Sequence, residues 1–196
     1  MIFGGYQPFS LTDYPGKVAA ILFTQGCNFR CPFCHNTELL PLEASPEKIF
    51  NSDQALTLLK KRHALLDAVV ITGGEPTIQP DLYDFLQQVR TLKLKIKLDT
   101  NGCNPQFLAM LLDASLVDYV AMDIKAPEEK YDLLSGTAVH YPAIKESITL
   151  LTKSTIPHHF RTTFMQPLLT QNDLDTIRAE LPADARYVVQ EYQKAP

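Results

Sequence analysis

Apolar positions in this chain switch repeatedly between two periods. Val18-Ala-Ala-Ile-Leu-Phe23 and Ala68-Val-Val-Ile-Thr72 are short continuous apolar runs, with the length and β-branched content of buried strands. Between them Ala55, Leu58 and Leu59 recur at helical spacing, which predicts a helix near Asp53 to Arg62. Leu82, Phe85, Leu86 and Val89 form one stripe on a helix opening at Pro80-Asp81. Leu94 to Asp99 predicts a third strand. Asn104-Pro105 then supplies a cap and a first-turn proline for a helix bearing Leu108, Leu111 and Leu112. A fourth strand is expected at about Asp118 to Lys125. A helical region follows from roughly Pro127 to Leu151, broken near Ser135-Gly136 and Tyr141-Pro142. A fifth strand at His158 to Phe164, a helix from Asn172 to Leu181 and a sixth strand at Tyr187 to Gln190 complete the pattern.

Six strands separated by helices predict an α/β fold: a parallel sheet whose right-handed crossovers curl it into a partial (βα)6 TIM-like barrel with the helices outside. Chemistry in barrels of this construction sits at the C-terminal strand ends. Side chains two apart on a strand share a face. Leu94, Ile96 and Leu98 should therefore meet the helices, while Lys95, Lys97 and Asp99 point inward. The same alternation turns Asp123 and Lys125 inward, and likewise His159, Arg161 and Thr163. Lys95 and Lys97 read as members of structural ion pairs. Asp99, Asp123, Lys125 and Arg161 lie at the expected mouth, where a charged, zwitterionic ligand would need such partners.

Composition narrows the picture further. With 196 residues, 45% hydrophobic and 20% charged, the chain is expected to form a single soluble domain over 1–196. A net charge of −4 without a long basic stripe argues against nucleic acid as the partner, and Lys60-Lys61-Arg62 reads as a solvated helix end. No apolar stretch approaches membrane-spanning length, and Met1-Ile-Phe-Gly-Gly-Tyr-Gln-Pro8 lacks the basic start and apolar run of a signal peptide. Three of the four cysteines are clustered, which is not a disulfide framework, so a reducing cytoplasm is expected. Cys103 stands alone, as a small packed residue does.

Those three cysteines, Cys27, Cys31 and Cys34, follow the first strand directly. Their Cys-x3-Cys-x2-Cys spacing offers three soft thiolates and leaves a four-iron cluster one ligand short, with an iron free for something other than protein. Three other readings compete. His35 would complete a Cys3His zinc set, although adjacent residues rarely reach one ion with good geometry. Cys31-Pro-Phe-Cys34-His35 fits a haem-attachment string, and Cys31-Pro-Phe-Cys34 a redox dithiol, but both leave Cys27 without a role.

The cysteine loop, with the aromatic Phe33 before its last cysteine, and Thr72-Gly73-Gly74-Glu75-Pro76 after the second strand together resemble the radical S-adenosylmethionine enzymes, over essentially the whole chain. Within them, Cys34-His35-Asn36, Asp99-Thr100-Asn101-Gly102, Met122-Asp123-Ile124-Lys125, the leading Ser10 to Lys17 segment and Arg161-Thr162-Thr163 are similar to the activating enzymes of glycyl-radical enzymes, most of all those of anaerobic ribonucleotide reductase. The resemblance implies that Cys27, Cys31 and Cys34 hold a 4Fe-4S cluster and that Gly73, Gly74 and Glu75 line the methionine end of S-adenosyl-L-methionine. It further implies that Asp99, Asp123 and Lys125 hold the cofactor's polar groups, with a monovalent cation as a candidate companion. Arg161 would meet the carboxylate or ribose, and Phe33 would pack near the adenine. One electron from a flavodoxin or ferredoxin-type reductant would release a 5'-deoxyadenosyl radical, which takes hydrogen from a glycine of the partner glycyl-radical enzyme.

Related activases can carry a histidine near the last strand, where this chain has Gln190, Glu191 and Gln193. His63, His140, His158 and His159 share no ligand spacing and are expected to be surface or structural, while His35 is expected to hydrogen-bond near the cluster. An enzyme acting on a small molecule in modified-base or cofactor synthesis, and a non-catalytic zinc or electron-transfer module, remain as alternatives.

Overall fold

In the computed structural model, which describes residues 1–44, 47 and 49–193, the chain opens with a strand that the apolar pattern does not announce. This strand, β1 (Ile2–Ser10), is followed by β2 (Ala19–Thr24), β3 (Phe50–Asn51), β4 (Ala68–Gly73), β5 (Lys95–Thr100), β6 (Tyr119–Asp123), β7 (His158–Phe164) and β8 (Tyr187–Glu191). The helices are α1 (Ser52–Arg62), α2 (Leu82–Thr91), α3 (Pro105–Asp113), α4 (Tyr131–Ser135), α5 (Tyr141–Lys153) and α6 (Gln171–Glu180).

All eight strands form one sheet in the order β3-β1-β2-β4-β5-β6-β7-β8. The six expected strands, β2 and β4 through β8, pair in parallel and in sequence order. Their curled sheet, with helices outside, is the expected partial barrel. The correction lies at its edge, where β1 runs antiparallel to β2 and carries the two-residue β3 on its other side. Gly4-Gly5 and Pro8 make residues 2–10 a poor strand by local preference. Pairing with β2 overrides that preference, and the register slips between Gln7 and Ser10, around Pro8.

Helix boundaries follow the punctuation in the sequence. Asn104 accepts from the Phe107 N–H at 3.3 Å, with Pro105 in the first turn of α3. The break at Ser135-Gly136 is a left-handed cap with Gly136 at φ +68°, and Pro142 sits in the first turn of α5. Asn51 and Thr170 each close a capping box, on α1 and α6.

Alternation divides the buried side chains into two groups. Leu22, Ile71, Ile96, Leu98, Met122 and Phe160 face the helices and pack with Leu59, Phe85, Leu86, Leu108 and Ile144. The opposite face is thinner: Ala19, Ile21, Ala68, Val70 and Tyr119 gather around Tyr14, whose ring lies 5.6 Å from that of Tyr119. Tyr14, from the segment ahead of β2, thus plugs one half of the barrel interior and leaves the other half open.

Candidate functional site

The open half is a cavity of about 420 Å³ at the C-terminal ends of the strands. Cys27, Cys31, Phe33 and Cys34 line it from the loop after β2; Gly73, Gly74 and Glu75 from the end of β4 and its loop; Asp99 from β5; Asp123 and Lys125 from β6 and beyond; and Arg161 from β7. Residues spread over 135 positions of sequence meet here because each parallel strand delivers its C-terminal end to the same rim.

All three clustered cysteines are free thiols and half-buried. Burial pushes the Cys27 thiol up to about 11, against the Phe29 N–H that donates to its sulfur at 3.3 Å. Burial also raises Cys31, opposed by the Lys125 ammonium. Such thiols ionise when a metal replaces the proton. Among the described residues no three His, Cys, Asp or Glu side chains gather tightly enough to hold a single metal ion. All three thiols line the same cavity wall.

Opposite the thiols runs a ladder of alternating charge. The Lys97 ammonium donates to Asp99 Oδ1 at 2.5 Å, and the Arg161 guanidinium reaches Asp99 Oδ2 at 3.1 Å. Arg161 Nε also pairs with Asp123 Oδ1, and Lys125 donates to Asp123 Oδ2 at 3.0 Å. Register produces the central rung, because Asp123 and Arg161 are direct neighbours across β6 and β7. Burial alone would raise Asp123, but Arg161 and Lys125 overcome it and hold its carboxyl well below the usual range. For Lys125 burial pushes downward, but Asp123 and Cys31 together outweigh it and raise its proton affinity. Within the ladder three cations meet two carboxylates, and its Lys125 ammonium is the cation that acts on the Cys31 thiol. Lys95 lies outside the ladder and pairs with Asp118 at 2.8 Å.

Glu75 is 1% exposed and its carboxylate pairs with no cation among the described residues. Oε1 accepts from the Thr77 N–H at 3.0 Å, the Thr77 hydroxyl at 2.6 Å and the Thr100 hydroxyl at 2.7 Å, and Oε2 accepts from the Asn101 N–H at 2.7 Å. The side chain therefore braces the loop after β4 to the loop after β5. The two glycines before it serve a related purpose. A Cβ on Gly73, at φ +111°, would lie 2.8 Å from the Phe23 backbone, and one on Gly74 would press into the Gly26 carbonyl and lie 3.2 Å from the Cys27 nitrogen. With no side chain there, the Glu75 N–H donates to the Gly26 carbonyl at 2.9 Å, tying the glycine loop to the start of the cysteine loop.

Phe33 is buried, 5% exposed, and joins the helix-side core as well as the cavity wall. His35 Nε2 donates to the Gln193 carbonyl at 2.6 Å and its ring stacks on Tyr192 at 5.1 Å, joining the cysteine loop to the segment after β8. Cys103 is not in the cavity wall. Its sulfur accepts from the Asn28 amide at 2.9 Å, Asn28 accepts from Asn101 at 2.9 Å, and burial pushes its thiol up to about 12. Asp13 and Phe23 also line the cavity and were not anticipated. Phe23 was within reach of the alternation that turns Ala19 and Ile21 inward. Asp13 arrives with the Tyr14 plug, which no period predicts. Thr163 and Gln190 line the cavity from β7 and β8, Thr72 and Thr100 from β4 and β5, and Phe29 and Leu40 from the long segment after β2.

The sequence profile of the radical SAM superfamily matches residues 21–180. A Methanocaldococcus jannaschii protein, provisionally named a glycyl-radical enzyme activating enzyme, is 32% identical over 198 residues, which cover 96% of this chain and 79% of that protein. A Thermococcus kodakarensis protein named a probable GTP 3',8-cyclase is 29% identical over 152 residues, 76% of this chain and 48% of its own. In fold, the chain is similar to Streptococcus suis SuiB bound to S-adenosylmethionine, with a TM-score of 0.67 at 16% identity over 89% of this chain and 42% of that one.

Proposed function

The chain belongs to the radical SAM superfamily, and we propose that it is an activase that places a glycyl radical on a partner enzyme, an anaerobic ribonucleotide reductase by the resemblance of its motifs. The observation that carries this reading is the single cavity shared by three thiols, the glycine loop and the charge ladder. The 32% identity to the methanogen protein over nearly the whole chain favours the activase over the small-molecule reading.

In this proposal Cys27, Cys31 and Cys34 would ligate a 4Fe-4S cluster, and the ladder residues of the same cavity would hold S-adenosyl-L-methionine. When bound, the two supply one-electron cleavage of a carbon–sulfur bond, and with it the 5'-deoxyadenosyl radical that takes hydrogen from the partner's glycine. Lys125 keeps ammonium protons beyond the one given to Asp123; Nε and Nη2 of Arg161 meet Asp123 and Nη1 meets Asp99, so what it can still offer is the second hydrogen on each Nη. These cations would take the cofactor's carboxylate and ribose. Asp99 and Asp123 hold those cations in position, and their own partners already occupy most of their oxygens. A monovalent cation at Asp99 would compete with Lys97 and Arg161, so the ladder itself provides the positive charge there. Gly73 and Gly74 leave backbone exposed for the methionine end, Phe33 and Phe23 give apolar wall for the adenine, and the Tyr14 plug keeps water from entering below. A single-domain enzyme of the reducing cytoplasm, fed by a flavodoxin or ferredoxin-type reductant, completes the proposal.

The test uses protein reconstituted anaerobically with iron and sulfide, reduced and given S-adenosyl-L-methionine with and without a candidate reductase. Formation of 5'-deoxyadenosine by wild type but not by Cys31→Ala, with a glycyl-radical EPR doublet on the reductase, is the expected result. Nucleoside formation coupled to turnover of a small molecule, with no protein radical, would replace the activase by the small-molecule reading. A loaded cluster without cleavage under any condition would refute the radical chemistry.

A further inference from the structure

The cysteine loop touches a second, remote element as closely as it touches the glycine loop. Helix α4 follows β6 and spans little more than one turn, so hydrogen bonding along its own length cannot account for its stability. Its first and last residues, Tyr131 and Ser135, meet the loop instead. Tyr131, 1% exposed, meets the Phe29 ring edge-on, with centroids 6.4 Å apart at 78°. The Ser135 carbonyl, left free at the helix end, accepts from the Arg30 N–H at 2.7 Å. Gly136 then turns the chain at φ +68°, and a Cβ there would press into the Arg30 carbonyl, with the Arg30 carbon 2.7 Å away. Arg30 in turn donates from its guanidinium to the carbonyls of Cys27 at 2.6 Å and Phe29 at 2.7 Å, fixing the turn between the first two cysteines. Lys130, just ahead of α4, is itself held by Asp173 in the first turn of α6 at 2.7 Å.

From this set we propose that α4 and its glycine cap form the platform that positions the cysteine loop, with Gly136 and Tyr131 as positioning residues for Cys31. The platform belongs to the same segment that supplies Asp123 and Lys125. The cysteine loop and one cation of the ladder, Lys125, are thereby tied to one piece of backbone. Gly74 clamps the loop at Gly26 and Gly136 clamps it at Arg30, so the segment carrying Cys27 is held at both ends by residues without side chains. This inference rests on the cluster reading of the three cysteines.

Two glycines allow a controlled test. Gly16 has φ +69°, beside +68° at Gly136, but nothing lies within 4 Å of where its Cβ would be. Gly16→Ala therefore places a side chain on a positive φ as well, without the collision. Full-length wild type, Gly136→Ala and Gly16→Ala are reconstituted with iron and sulfide, and three quantities are read: iron per chain, the midpoint potential of the cluster, and the EPR change on adding S-adenosyl-L-methionine. Gly136→Ala is expected to lose at least half of its iron, or to shift the potential and blunt the EPR change, while Gly16→Ala keeps wild-type values. Wild-type behaviour of Gly136→Ala, or equal loss in both variants, overturns the platform. If Gly136→Ala does not fold, Tyr131→Leu, which keeps the backbone and removes the edge contact to Phe29, decides by the same readings: a shifted spectrum supports the platform and an unshifted one overturns it. A wild type that assembles no four-iron cluster sinks the cluster reading as well, and so is distinguishable from failure of the platform alone.

Discussion

His159 should make the protein acid-sensitive in a window where most carboxylates are still ionised. It lies on the inner face of β7, two residues before Arg161, and its Nδ1 accepts the Tyr119 hydroxyl at 3.0 Å. Burial, then the Lys97 and Arg161 cations, lower its proton affinity from the ordinary 6.5 to about 4, with Asp99 opposing them and Arg186 adding to them. The folded protein therefore keeps the ring neutral where the unfolded chain protonates it. Stability is full above pH 6.5 and falls as the pH drops toward 4. The slope is about 1.4 kcal/mol per pH unit, or ~3 kcal/mol over the interval, which solvent reaching part of the ring reduces to ~2 kcal/mol. In His159→Asn the amide oxygen can still accept from Tyr119, but nothing titrates. Urea unfolding of the anaerobically purified protein between pH 8 and pH 4.5 should therefore show wild type losing ~2 kcal/mol more than the variant. Taking the difference cancels every carboxylate common to both. Parallel curves for the two proteins would refute the argument, since they would mean that the ring is protonated in the fold or that its cationic neighbours are screened.

Other substitutions probe the site itself. Glu75→Gln places amide hydrogens against donors that now meet a carboxylate, and should cost ~2–3 kcal/mol. Thermal melting is expected to show this as a fall of about 5–10 °C, and an unchanged midpoint would contradict the brace between the two loops. Arg161→Met strips the shared partner from Asp99 and Asp123 and should destabilise by ~3–5 kcal/mol. Calorimetry on the reconstituted protein should also show S-adenosyl-L-methionine binding weakened at least about tenfold, the worth of one charge-assisted contact; wild-type affinity would remove Arg161 from the ligand's neighbours. Gly74→Ala drives a methyl group into the Gly26 carbonyl and should reduce iron retention by half or more with circular dichroism unchanged. Full iron content there would show that the cysteine loop tolerates displacement.

What could be read from residues alone is what depends on near neighbours. Period-two and period-3.6 patterns located all six parallel strands and the breaks at Ser135-Gly136 and Tyr141-Pro142, because burial of one face is written into consecutive positions. The spacing of Cys27, Cys31 and Cys34 was legible for the same reason, being confined to eight residues. Alternation also turned Lys97, Asp99, Asp123 and Arg161 to one face, but not the way they join into a ladder, which depends on the register between β5, β6 and β7. Strand β1 was hidden because Gly4, Gly5 and Pro8 disfavour a strand locally, and the partner that overrules them, β2, lies elsewhere in the chain. Glu75 could be placed near the site, yet its carboxylate is committed to Thr100 and Asn101, 25 and 26 residues away. Gly136 read as a helix break and no more. Its contact with Arg30 spans more than a hundred positions, and no local pattern encodes a contact between backbones that distant.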